Sequence, residues 1–160
     1  MIASVTDVRA VRPMAANIPD ERVEPYIYEI EHTAVLEALG APLFEAVEND
    51  PASYAIALEG GYYDGRNGRK WFAGLKKAIA YLVYARVVRN NSLNVTAFGA
   101  VLKNGALSEQ ADDAEIARTA NECKSLGEKA LTDCVVYFAE IGALDCGRNS
   151  FTKKFAVIGD

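Results

Sequence analysis

KWFAGLKKAIAYLVYARVVRN, residues 70–90, is the stretch on which the fold turns. It carries five basic residues and no acid, inside a 160-residue chain of net charge −5. Projected at about 100° per residue, Phe72, Leu75, Ile79, Leu82 and Val83 form one compact stripe, the face that a core covers. The bases do not gather opposite that stripe. Lys76, Lys77, Arg86 and Arg89 scatter around the remaining circumference, interleaved with Ala80, Tyr81, Tyr84, Ala85, Val87 and Val88. A helix lying on a membrane surface collects its bases on one polar face, and this one does not. The spacing predicts a helix from about Arg69 to Asn90 that is apolar or aromatic on more than one side, one side covered by the fold and the other by a second surface.

Working outward, Asp20 and Glu21 open an earlier helix, with Pro25 in its first turn and Val23, Tyr26, Ile27, Ile30 and Ala34 at helical spacing. Gly40 and Pro42 end it. PLFEAVEN and PASYAIALE read as two shorter helices, and GGYYDGRNG, residues 60–68, reads as a loop with Tyr62 and Tyr63 packing it down. On the far side, residues 91–107 change character: Val95, Ala97 and Val101 sit beside Gly99, and Asn104-Gly105 is a tight-turn dipeptide. An extended or hairpin-like segment is expected there. Ser108 then caps a long helix, about 108–141, with Glu109, Asp112 and Asp113 opposing its dipole. Ile116, Ala120, Cys123, Gly127, Ala130, Cys134, Phe138 and Ile141 fall on one stripe at steps of three and four, the seam of a helix pair. The expected fold class is all-α: a bundle of about five helices, two of them long, joined by the short extended segment. Residues 1–145 form the helical domain, and 146–160 are a C-terminal tail or arm.

Composition bounds the function. The chain is long enough to bury a core without disulfides or metal, and its 24% charged and 51% hydrophobic residues are ordinary for a soluble domain. The opening MIASVTDVRAVRP has no signal-peptide pattern, and Lys76, Lys77, Arg86 and Arg89 break the longest apolar run, so no membrane association is expected. Three cysteines without a CxxC suit a reducing compartment. Charge is distributed in blocks: residues 20–64 sum to −10, 65–107 to +8 and 108–145 to −6. Such blocks suit a basic helix packed beside acidic ones, opposite charges meeting on an identical neighbour in a head-to-tail ring, or a basic band close to nucleic acid.

No motif points to catalysis or to a cofactor. Glu29 and His32 have the Glu-x-x-His spacing of di-iron bundles, but His32 is the only histidine, so surface charge is the simpler reading. The same fact weakens any Ser–His or Cys–His nucleophile. Cys123 and Cys134, on one helix, lie about 16 Å apart by helical rise, too far to bridge, and are read as buried structural thiols. Cys146, beside Gly147, is the more exposed. Gly65 and Gly68 are too close for a Walker A loop, and Arg69-Lys70-Trp71 follows them. Zinc spacing is absent.

The order of these segments resembles a known group. GLKKAIAYLVYARVV after a Gly/Tyr-rich loop, then TAFGAVLKN, a serine-capped long helix and a late YFAEIG, together with VEPYIYEIEHTAVLEALGAPLFEAV upstream, is similar to head–tail connector (adaptor) proteins of tailed phages and prophages. The resemblance covers roughly residues 1–145. It implies a non-enzymatic virion protein, made in the bacterial cytoplasm, that forms a homo-oligomeric ring at the portal and contacts portal and tail proteins close to DNA. Tyr81, Tyr84 and Arg89 on the second face of the basic helix, and Phe151, Phe155 and Val157 in the tail, are the candidate interface residues. The alternative is a nucleic-acid-binding helical module using Arg66, Arg69, Lys70, Lys76 and Lys77. A small enzyme with a carboxylate site is a third class, which a deep polar pocket would support.

Overall fold

The computed structural model describes residues 1–14, 18–91, 93–96, 99–102 and 113–144. It is mostly helical, with two small two-stranded antiparallel sheets inserted between helices. The expected PLFEAVEN helix is present as α4, Ala41–Asn49. The helix opening at Asp20 is a 3-10 turn, Asp20–Arg22, followed by α2, Glu24–Ile30, a π turn at Glu31–Val35, and α3, Leu36–Leu39. PASYAIALE forms a turn and then the short α5, Ala55–Glu59.

The N-terminus adds a helix that the apolar pattern did not suggest, α1 at Val5–Val11. Ser4 caps it: its hydroxyl accepts from the Asp7 amide, while Asp7 accepts from the Ser4 amide at 2.8 Å, a reciprocal box. Val5 and Val8 are buried beneath it.

Two glycines set the hairpin that follows α5. Gly60, at φ +78°, and Gly74, at φ +87°, lie back to back, and a Cβ on either would collide with the other's segment of backbone. That contact closes the base of β1, Gly61–Gly65, paired with β2, Gly68–Phe72, in the register Gly61↔Phe72, Tyr62↔Trp71, Tyr63↔Lys70, Asp64↔Arg69. The expected loop at 60–68 is therefore half of a hairpin turning at Arg66-Asn67. The basic helix, α6, starts not at Arg69 but at Leu75 and runs to Asn91. Strand pairing has captured Arg69–Phe72 from it.

The second hairpin, β3 at Leu93–Thr96 with β4 at Gly99–Leu102, answers the extended segment expected between the long helices. Asn104-Gly105 and the Ser108 cap fall outside the described residues. The last helix, α7, spans Asp113–Glu140. It runs antiparallel to α6, since Gly127 meets Leu82 and Asn121 meets Arg89. A Cβ on Gly127 would stand 2.7 Å from Leu82 Cγ, so the small residue sets how closely the pair approaches. Ala120, Cys123, Gly127, Ala130, Cys134 and Phe138 of the expected stripe are all buried, and Ile141, past the end of the helix, is exposed.

The expectation of a second open apolar side also fails. α6 has no second open apolar side, because the chain covers it with α1, α2, α5 and α7. Ala78, Ala80, Ala85 and Val87 are buried with the primary stripe, and Tyr81 and Val88 pack against the core at partial exposure. Tyr84, expected at an interface, is only 8% exposed, and its hydroxyl donates to the Pro13 carbonyl at 3.0 Å. The N-terminal segment supplies the surface assigned to a neighbour. Among the described residues no helix is long and apolar enough to cross a membrane.

Candidate functional site

The hairpin β1–β2 has two unlike faces because side chains alternate along a strand. Tyr63 and Phe72 point inward. Their rings meet edge to face at 5.5 Å, and each contacts Tyr137 of α7, Phe72 stacked at 4.6 Å and Tyr63 edge-on at 5.0 Å. Lys70, also inward, pairs with Glu140 at the end of α7. That ion pair holds the Glu140 carboxyl below its ordinary value. Burial, reinforced by Glu140, pushes the Tyr63 phenol up to about 12. Aromatic packing and one charge-assisted hydrogen bond thus dock the inner face on α7.

The outer face is uncovered. Tyr62 is 65% and Trp71 57% exposed, directly opposite one another across the strands. The Arg69 guanidinium lies over the Tyr62 ring, 4.6 Å from its centroid. Asp64 faces Arg69 in the register, Arg66 stands exposed in the turn, and Val136 of α7 is exposed beside Trp71. Two large aromatics, one arginine and one carboxylate therefore share the outer face, with a second arginine in the adjoining turn.

The candidate nucleic-acid residues do not form one surface. Arg66 and Arg69 belong to the turn and outer face of the hairpin, and Lys70 is turned inward to Glu140. Lys76 pairs with Glu59, and with Lys77 and Tyr81 it lines a shallow cleft of about 250 Å³ between α1, α5 and α6. Arg89 lines a second cleft of about 350 Å³ with Arg86 and Lys124, where it donates to Asn121 at 2.9 Å. Of the candidate interface residues, Arg89 is exposed, Tyr81 partly so and Tyr84 is not; Phe151, Phe155 and Val157 fall outside the described residues.

Other singled-out groups sit in structural roles. Glu29 pairs with Arg86 at 3.3 Å, and His32 stacks on Tyr28 with ring centroids 3.9 Å apart. Cys123 and Cys134 are buried, and desolvation pushes the Cys134 thiol up to about 12. Among the described residues no cluster of His, Cys, Asp or Glu could hold a metal ion.

Glu31 is the residue that the sequence did not mark. It is fully buried, and its Oε1 accepts from the Ile2 and Ala3 amides at 2.8 and 2.9 Å. Burial raises its carboxyl above the ordinary value, against the two amide hydrogen bonds. Glu31 thereby ties the segment entering α1 to the π turn, and α1 in turn covers α6. Trp71 was missed for a different reason: residues 69–72 read as helix, which conceals strand alternation.

No curated protein and no solved structure matches the chain. One family model does match, over residues 35–141, taking in α3, α4, α5, both hairpins, α6 and α7. The chain belongs to that family of unknown function, DUF6712.

Proposed function

We propose that this chain is a structural, non-enzymatic subunit of a tailed-phage or prophage virion, a head–tail connector that assembles with its own copies into a ring at the portal. The observation that carries the reading is the uncovered Tyr62–Trp71 pair with Arg69, two exposed rings directly opposite one another on one hairpin face; Tyr28, the other strongly exposed aromatic among the described residues, is stacked on His32 instead. Tyr, Trp and Arg are the residue types that concentrate in the energetic centres of protein–protein interfaces. The order of segments in the sequence, which resembles that of connector proteins, is the second support. Support from an open second side of α6 is gone, since α1 covers that side. The test is reconstitution with the portal protein encoded in the same genome. A ring-shaped complex of defined mass, seen by electron microscopy and mass photometry, is the expected result; a chain that stays monomeric beside assembled portal contradicts it.

The alternative, a nucleic-acid-binding module drawing on the basic 65–89 segment, is favoured by one feature, the arginines and stackable rings sharing the hairpin face. It predicts DNA binding that weakens steeply with salt. Absence of binding at low salt removes it.

A further inference from the structure

We infer that the outer face of the β1–β2 hairpin docks on the acidic α3–α4 surface of a second copy of this chain. The inference rests on the self-assembling reading above and names the two surfaces that would meet. Alternation and register place Tyr62, Asp64, Arg69 and Trp71 on one side of the hairpin, with Val136 of α7 next to Trp71. The rings are the apolar anchors and the arginines the rim, a division common to interface centres.

Charge selects the partner. Arg66 and Arg69 make no ion pair among the described residues, although Arg66 is near enough to help lower the Glu140 carboxyl, and with Asp64 opposite Arg69 the three charges sum to +1. From Val23 to Gly65 the chain has no lysine or arginine. Within that block Glu29, Glu48 and Glu59 are neutralised by Arg86, the N-terminal ammonium and Lys76. Of the other exposed acids of the block, Asp50 accepts from the Ser53 amide and hydroxyl and Glu24 lies in the first turn of α2, which leaves Glu37 on α3 and Glu45 on α4, exposed and without an ion pair among the described residues. The complement of the hairpin is thus carried on the chain itself, by different elements. Two unlike surfaces that fit each other join copies head to tail, the arrangement that closes into rings. A polyanion fits less well, because Asp64 stands opposite Arg69 on the face and the whole chain carries −5. One hairpin face is smaller than the roughly 800 Å² that each partner gives to a standard interface, so a single contact is weak and ring closure adds the rest.

Trp71 is the only tryptophan of the chain, so its emission reads this face alone. Full-length protein is titrated from about 1 μM to about 1 mM, the range over which a weak contact saturates, while sedimentation equilibrium follows the mass. The expected result is a blue shift of Trp71 and a fall of about twofold in acrylamide quenching, in step with rising mass. The double variant Arg66→Glu/Arg69→Glu stays monomeric and unshifted, as does Glu37→Lys/Glu45→Lys, with far-UV circular dichroism showing both folded. Mixing the two variants restores association, because each hairpin then finds an oppositely charged surface. Mass that rises while Trp71 does not move overturns this surface and leaves the ring reading intact. A mixture that fails to restore association, or a chain that stays monomeric at every concentration, also overturns the surface. A salt-sensitive Trp71 shift seen only with an oligonucleotide reassigns the face to nucleic acid. The portal reconstitution judges the ring separately.

Discussion

Helix α6 and the β1–β2 hairpin are neighbours in sequence and opposites in exposure. α6 holds the apolar circumference that seemed to demand a partner, and the chain wraps it on every side where Tyr84, Ala85 and Val87 lie. The hairpin reads as a glycine-rich connector, yet it leaves a tyrosine and a tryptophan in solvent. Hydropathy states that a side chain needs cover. It does not state what provides it, and a seven-residue helix at the N-terminus is enough to change the answer.

The contrast breaks most severely at the hairpin base. Gly74→Ala forces a side chain into the backbone at Gly60 from a φ of +87°, and is expected to cost on the order of 4 kcal/mol. Urea denaturation followed by circular dichroism measures it; an alanine tolerated within about 1 kcal/mol would mean that the clasp does not set the hairpin.

Next in size is a matched pair of tyrosines. Tyr84→Ala removes a buried ring and its hydrogen bond to Pro13, a loss of about 3–4 kcal/mol. Tyr62→Ala, on the exposed face, should change monomer stability by about 0.5 kcal/mol or less. Equal losses at the two positions would erase the distinction between covered helix and free hairpin.

The smallest effect concerns the latch that holds α1 in place. Burial raises the folded-state value of Glu31 above its unfolded one, so over the window between them the folded chain holds the extra proton. Stability from this group therefore falls as pH rises through that window and is level above it. Glu31→Gln keeps an oxygen to accept from the Ile2 and Ala3 amides and removes the titration. The difference in stability between wild type and variant should change with pH in that sense across the acid range. Parallel stability curves at all pH values would show that the Glu31 carboxyl does not titrate differently in the two states.

Much of the helical frame was legible. The α7 stripe from Ala120 to Phe138 follows from apolar spacing alone, and Gly127 on it foretells a close approach to a partner helix. α4 was similarly plain. The hairpin was hidden because Phe72 fits the helical stripe of α6 as well as it fits the inner face of β2, and only pairing with Gly61–Gly65 decides between them. Gly74, between Phe72 and Leu75, was the available sign that a helix could not run through. α1 left a trace in Ser4-x-x-Asp7, but two buried valines make too short a pattern to stand out. For the candidate site, Arg66 and Arg69 were visible as the start of a basic run that holds no acid from Gly65 to Leu107. Trp71 was lost with the helix assignment, and the tail residues Phe151, Phe155 and Val157 lie outside the described structure. Glu31 had no signal at all, since burial of one acid among twenty-two depends wholly on tertiary contacts.

Hydroxyl-radical footprinting of the monomer, read out residue by residue by mass spectrometry, tests the central claim most directly. Tyr62 and Trp71 should oxidise readily, while Tyr84, Phe72 and Phe138 are protected. Oxidation of Tyr84 at the rate of Tyr62 would mean that α6 is open to solvent and that the N-terminal segment does not seal it.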